Sequence, residues 1–415
     1  QNQRENMTEK TSYNGGIKEL LVFVLREMRP RGKLITPFNV ISFPIILLGI
    51  VLLVIRFTKG LGFVTEGSQD SPWGLWIGFN VVTGVALAGG AYVITFMVYI
   101  VRAEKYHALV RATVLYGFLA YVFYAGALLL DIGRPWKIIN PIIGNSFGYS
   151  SVLFLVAWHF LLYMMAEFVE FSPVVAEWLG WKKVRRFAAG LTVGAVIIGI
   201  TLSMLHQSGL GALFLMAKSK IHPLWYSEFL PILFLVSSIF AGLSMIILQD
   251  MLSRRAFKDQ IDPEKRASFD EMIVGLGKGA AVVMFAYLFM KALVLIHGEH
   301  WRHLGDFWGT WYLIEVVGFV AMPLYMFVTG VTHRNLSVIR AAAIMTVIGI
   351  ILNRLNVSMI AFKWYVPVRH FPSWMEIEVA LMVIFTQIWV FRWVVNRMPV
   401  LAEPRVVQIQ DEEAK

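Results

Sequence analysis

The sequence predicts an all-α integral membrane protein of ten transmembrane helices, built as two four-helix bundles with two peripheral helices. Three observations lead there. Apolar residues make up 58% of the 415 residues and charged residues only 15%, with a mean hydropathy of +0.65, whereas an ordinary soluble domain carries about 25% charge. The apolar residues gather into ten runs near 38–55, 75–100, 108–130, 148–171, 187–205, 225–248, 272–296, 308–329, 337–360 and 375–395. A hydrocarbon core of about 30 Å needs roughly 20 residues per helix. Runs of this length without strict alternation satisfy their backbone groups internally, as helices.

In chain order, residues 1–37 read as a cytoplasmic amphipathic arm with Ile17, Leu20, Leu21 and Val24 on one face, and 38–71 as peripheral helix 1. Residues 72–210 form the first bundle, spans 2–5, and 211–360 the second, spans 6–9. Peripheral helix 10 occupies 361–397, and 398–415 is a cytoplasmic tail that frays over its last residues. No cleavable signal peptide is expected, because the first apolar run begins near residue 38 and reads as a full span.

A net charge of +10 and a pI near 9.6 raise the question of nucleic acid, but the distribution of cations answers it with topology. With the N-terminal segment inside and the chain alternating, 25 of the 37 Lys and Arg residues lie in inside segments, 9 in outside segments and 3 within spans. Both termini are therefore expected in the cytoplasm, with no nucleic-acid partner. There is no cysteine, which excludes cysteine-ligated iron–sulfur clusters, covalently attached haem and disulfides within the chain.

A repeat of about 150 residues supports the two-bundle reading. Pro72-Trp73, Pro223-Leu224-Trp225 and Pro372-Ser373-Trp374 each precede a span on the outer side. Ile198-Gly199-Ile200 through Ser208 aligns without a gap on Ile348-Gly349-Ile350 through Ser358. His206 in the first copy then stands where the second has Asn356, and Met204 where it has Arg354.

Polar residues concentrate at the outer end of the first bundle. Span 3 ends in Asp131-Ile132-Gly133-Arg134-Pro135-Trp136, span 5 in His206-Gln207-Ser208-Gly209, and span 2 begins near Trp73 and Trp76 with Asn80 one turn further in. A quinone head group needs hydrogen-bond donors at two carbonyls, a proton source or acceptor, and an apolar slot for its tail. His206 titrates near neutral pH and can donate to a carbonyl, and Asp131 can orient that ring or relay its proton. Asp131 and Arg134 as an ion pair capping a helix end is the competing reading, as is His206 as a satisfied polar residue at a helix terminus. Gly209-Leu210-Gly211 reads as a turn permitting close approach, and Ala88-Gly89-Gly90 as helix packing.

Deeper ionisable residues are candidates for a proton path, because each costs about 2.5–3.5 kcal/mol on insertion scales. They are His159 and Glu167, with Glu170 nearby, in span 4, Lys291 in span 7, Glu315 in span 8 and Arg354 in span 9; Lys278 is a further ionisable residue of span 7. Glu315 with Lys291 or Arg354 would make a buried charge pair. The depths of His107, His159 and His206 do not match as paired axial ligands, so no haem is expected. His297, Glu299, His300 and His303 read as a solvated outer loop, and no metal site is expected.

Several motifs then resemble one family: PWGLWIGF with ALAGGAY (72–92), YHALVR (106–111), DIGRPW (131–136), HQSGLGALFL with HPLW (206–225) and FPSWMEIE (371–378). Together, over about residues 38–396, they look like the polysulfide-reductase membrane-subunit, or NrfD-like, family, and most like its ten-span branch in menaquinone reductase and uptake hydrogenase complexes. The resemblance implies a subunit that binds menaquinone near the outer face, with no haem or iron–sulfur cluster of its own. Electrons would come from a periplasmic ferredoxin-like iron–sulfur subunit, fed by a multihaem cytochrome c or hydrogenase. It also places Asp131, Arg134 and His206 around the quinone. Some members carry a buried acid after the Ser-Val-Leu-Phe of span 4, where this chain has Leu155, and His159 is the candidate substitute. A secondary transporter and a passive membrane anchor are the competing classes; transporters favour inverted repeats and broken midplane helices, whereas this repeat is parallel.

Overall fold

A computed structural model describes residues 17–31, 34–68, 73–140, 148, 150–257, 266–367 and 371–401. Pro72, most of the N-terminal arm and the tail beyond residue 401 lie outside the described residues. Among the described residues, ten helices are long and apolar enough to cross a membrane. Spans 1 to 5 are Pro37–Lys59, Trp76–Ile100, Glu104–Asp131, Val152–Leu179 and Lys182–Leu215. Spans 6 to 10 are Leu230–Ala256, Ser268–His297, Phe307–Thr332, Leu336–Ile360 and Trp374–Val395. They coincide with the ten apolar runs of the sequence.

The helix ends follow local chemistry. Thr36 caps span 1 by accepting from Asn39 N–H, with Pro37 at the first helical position. Ser373 and Glu376 form a capping box at the start of span 10. Gly180 in the left-handed region turns span 4 into span 5. Span 5 is longer than the sequence indicates: it continues to Leu215, so Gly209-Leu210-Gly211 is helix and not a turn, and His206 lies inside the span.

The spans pack both along the chain and across it: span 2 touches 3, 5, 6 and 9, span 3 touches 4, span 4 touches 5, and span 5 touches 6; span 6 also touches 7 and 9, and 8 lies against 7 and 9. Spans 1 and 10 pair with each other, and span 10 rests on spans 2 and 3. Spans 2 and 6, the most buried, cross at the centre. There the backbones meet directly: a Cβ on Gly89 would lie 2.7 Å from the Ser238 carbonyl oxygen, and one on Gly90 would lie 2.9 Å from that of Gly242. The small residues of span 2 are thus packing residues, as expected.

Among the described residues, four stretches widen into π-helix: Trp76–Thr83 and Phe96–Ile100 in span 2, Ile314–Ala321 in span 8 and Asn356–Ile360 in span 9. Such turns re-aim side chains and recur at functional sites, and they carry Asn80, Glu315 and Asn356 here. The N-terminal helix Ile17–Glu27 and the end of span 10 meet at one face, where Phe23 packs on Trp178 and Arg397 donates to the Arg29 carbonyl at 2.7 Å. Spans 2, 4, 6, 8 and 10 begin at the opposite face.

Candidate functional site

A cavity of about 250 Å³ opens among spans 2, 3, 4 and 5 toward the opposite face. Trp73 and Ile77 wall it from span 2 and the loop before it, Ala125 and Leu128 from span 3, Ala157 and Phe160 from span 4, and His206 and Phe214 from span 5. Leu153 on its rim is 63% exposed, so the cavity reaches the flank of the helix bundle that faces lipid. Among the described residues, His206 is the one titratable side chain on this wall.

His206 is buried, with its ring against Phe160 at 5.3 Å and Tyr121 at 5.8 Å. Its Nδ1 lies 3.1 Å from the Val156 carbonyl oxygen. That oxygen only accepts, so Nδ1 carries the proton and donates. Neutral His206 then presents the lone pair of Nε2, which has no partner in the protein. Toward a ligand it is an acceptor for a hydroxyl when neutral and a donor to a carbonyl only when protonated.

Of the other residues expected at this site, the structure brings Trp73 to the cavity and Gln207 beside it, where Gln207 Nε2 donates to the Val85 carbonyl at 2.8 Å and Oε1 is unpartnered. Ser208 turns back to the Met204 carbonyl of its own helix at 2.9 Å. Asn80 is buried with both amide atoms unpartnered, off the cavity wall.

Asp131 is a correction. It does not join His206 but belongs to a second polar cluster at the seam of spans 1, 2, 3 and 10. Its carboxylate and that of Glu376 flank Gly74, where a Cβ would lie 3.5 Å and 3.6 Å from them. Arg56 is buried in the same seam and donates to the Leu130 and Ile132 carbonyls at 2.7 and 2.6 Å, capping the end of span 3. Trp76 donates to the Glu376 carbonyl at 2.9 Å and so also serves this seam. Arg134 is exposed, so the expected Asp131–Arg134 grouping around a ligand does not form. The physical reason is that Arg56 and Glu376 come from spans remote in sequence and draw the end of span 3 toward them.

From the cavity a line of orphaned polar atoms runs along span 4. His159, Tyr163, Glu167 and Glu170 recur at helical spacing on one face. His159 Nδ1, the Tyr163 hydroxyl, both Glu167 oxygens and Glu170 Oε1 are buried without hydrogen-bond partners, as are the Tyr121 hydroxyl and Ser203 Oγ across from them. Buried polar groups are nearly always satisfied by protein or water, so this file is a place for bound water. His159 is also closer in depth to His206 than the sequence indicates, because Val156, which pairs with His206, is three residues before it.

Spans 6 to 9 hold a different arrangement. Glu315 accepts from Trp225 Nε1 at 2.6 Å, from Asn353 at 2.7 Å and from Asn356. Arg354 donates to Asn353 Oδ1 at 2.8 Å and Ser237 Oγ at 2.7 Å, and lies 3.7 Å over the Phe234 ring. Lys291 sits 4.9 Å over the Tyr312 ring. The direct Glu315 ion pair with Lys291 or Arg354 expected from the sequence is replaced by Asn353, which bridges Glu315 to Arg354. Lys278 is exposed.

Over these spans, at the opposite face, the HPLW segment is buried rather than interfacial. His222 N–H donates to the Ala361 carbonyl at 2.9 Å, and its ring packs on Trp308 at 5.2 Å and Trp364 at 4.8 Å. Burial, reinforced by the neighbouring His303, pushes the His222 imidazole down to about 4. His303 comes from the outer group of histidines and meets His222 at 5.5 Å between ring centres.

Comparison with known proteins bears on what this geometry is for. Residues 63–367 match the family model described as polysulphide reductase, NrfD. A protein of Nitratidesulfovibrio vulgaris is 42% identical over 89% of this chain and 96% of its own length. The probable Ni/Fe-hydrogenase 2 b-type cytochrome subunit of Escherichia coli is 27% identical over 89% of this chain and 94% of its own. The menaquinone reductase integral membrane subunit of Nitratidesulfovibrio vulgaris is 26% identical over 76% and 78%. A ten-span helical protein whose first spans enclose an apolar cavity with one histidine thus has its relatives among membrane subunits of redox complexes, and the chain belongs to the NrfD family of polysulphide-reductase membrane proteins.

Proposed function

We propose that this chain is the quinone-reactive subunit of a respiratory oxidoreductase complex, with the cavity beside His206 as the site for a menaquinone head group. The observation that carries the reading is the unpartnered Nε2 of His206 on an otherwise apolar wall that opens to lipid. A polyprenyl tail leaves by the Leu153 rim without crossing water, while protonated His206 donates to the ring carbonyl and gives up its proton as the carbonyl oxygen gains electrons. The opposite face is then periplasmic, and the electrons come from an iron–sulfur subunit docked there, fed by a multihaem cytochrome or a hydrogenase. The chain itself holds no haem in this reading, and the absence of a Soret band from the purified subunit is the corresponding expectation.

Filling the cavity tests the site without touching its chemistry. Ala157→Phe is expected to deplete menaquinone extracted from the purified complex and to lower quinone-dependent electron transfer about 10-fold or more, because an added ring occupies space the head group needs. Unchanged menaquinone content together with an unchanged rate would reject the site.

In the same reading the file from His159 through Tyr163 and Glu167 to Glu170 resupplies the proton to His206 from the other face. Glu167→Gln keeps the shape and removes the proton-carrying group. It should slow turnover roughly 10-fold while leaving quinone affinity unchanged, measured as rate and apparent quinone KM of the reconstituted complex; an unaltered rate would remove Glu167 from the path. Lys291, Glu315 and Arg354 fit a fixed structural knot better than a second half of this path, since the Glu315 carboxylate already accepts from three donors.

A further inference from the structure

We propose that His222, His303 and Asp306 form a binding site for a divalent metal ion of the zinc class at the opposite face, over spans 6 to 9. One ring nitrogen of each histidine and one carboxylate oxygen of Asp306 all lie within 4.8 Å of one another. Two nitrogens and one oxygen are the donor set of many three-ligand zinc sites, which leave a fourth position for water. With metal–ligand bonds of about 2.0–2.1 Å, tetrahedral ligands stand about 3.3 Å apart, so the widest pair needs to close by up to about 1.5 Å. Their burial is graded to allow this: His222 is buried, His303 half-buried and Asp306 exposed, so the two outer ligands can move onto a fixed inner one.

The support around the ligands is the kind a metal site has. His222 is clamped through its backbone to Ala361 and by the rings of Trp308 and Trp364. Its Nδ1 accepts from the Leu224 N–H at 3.3 Å, a long bond that gives way on metal binding, either to the ion at Nδ1 or to a proton at Nδ1 when the ion takes Nε2. Asp306 caps the helix that opens span 8, with Oδ1 accepting from Gly309 N–H at 2.8 Å, which orients the carboxylate and leaves Oδ2 available. The ligands come from the connection between spans 5 and 6 and that between spans 7 and 8. A bound ion would tie the two connections together, and none of its three ligands lines the His206 cavity.

The test uses the assembled complex carrying this chain without a histidine tag, with zinc as the probe. After removal of metal by chelator, titration with Zn²⁺ should give one bound ion per chain, raise the melting temperature, and give with Co²⁺ the visible absorption of a four-coordinate site. His303→Ala changes a half-buried ring and Asp306→Asn an exposed carboxylate whose capping oxygen the amide keeps, so both should fold. Each should weaken Zn²⁺ binding by about 100-fold or more and abolish the zinc-dependent rise in melting temperature, while the metal-free melting temperature stays that of the unmodified complex. Failure of the unmodified chain to bind stoichiometric Zn²⁺, or binding that neither substitution weakens, would overturn the proposal.

Discussion

His206→Leu in the assembled complex is expected to lower quinone-dependent electron transfer by about 100-fold or more, the range that general acid–base groups contribute. Leucine keeps an apolar wall of similar volume, so the cavity should retain menaquinone while losing the group that exchanges a proton with it. His206→Gln separates the roles further. Glutamine can donate to the Val156 carbonyl or to a ligand carbonyl but cannot carry a proton, so it too should keep menaquinone while turnover stays low. Turnover and extracted menaquinone measured on both variants decide the matter. A leucine variant with the parent's rate would show that proton exchange occurs elsewhere. Asp131→Asn, by contrast, is expected to act through the seam of spans 1, 2, 3 and 10 and not through the cavity.

Glu315→Leu is expected to destabilise the subunit by on the order of 3–5 kcal/mol, as removal of one member of a buried charged network does. Three donors converge on this carboxylate, Trp225 Nε1, Asn353 and Asn356, and each loses its acceptor at once in a buried site. Leaving one such donor unsatisfied costs about 1–3 kcal/mol. Arg354 suffers indirectly, since Asn353 holds both it and Glu315. Thermal unfolding in detergent should show a large drop, with Glu315→Gln intermediate because it keeps one acceptor oxygen. A Glu315→Leu variant that melts with the parent but loses proton-coupled turnover would restore Glu315 to the proton path.

The ten spans were legible because hydropathy is a local property, and each run reports its own burial in lipid. His206 was legible for a related reason: a polar side chain near the end of an apolar run stands out. What the sequence could not supply was which way a helix end turns. Leu128 lines the cavity, yet Asp131 one turn later faces Arg56 and Glu376, partners from the first and last spans that no local pattern connects. Tyr121, Tyr163 and Ser203 were overlooked because single hydroxyls in apolar runs are common. The spacing His159-x3-Tyr163-x3-Glu167 was a signal available for the taking. His222 stands beside Pro223 and Trp225, a pairing common at membrane boundaries, so nothing local sets it apart, and its meeting with His303 depends on the docking of two loops.

The glycine contact between spans 2 and 6 limits how this molecule can work. With the Gly89 and Gly90 backbone laid directly on Ser238 and Gly242, no layer of side chains remains to slide or lever at the centre of the protein. Carrying a solute by rocking the two halves would require prising main chain from main chain in mid-bilayer. A stationary framework suits the function proposed above, in which whatever moves during turnover is small: a lipid entering from the side, protons on a handful of groups, and electrons from outside.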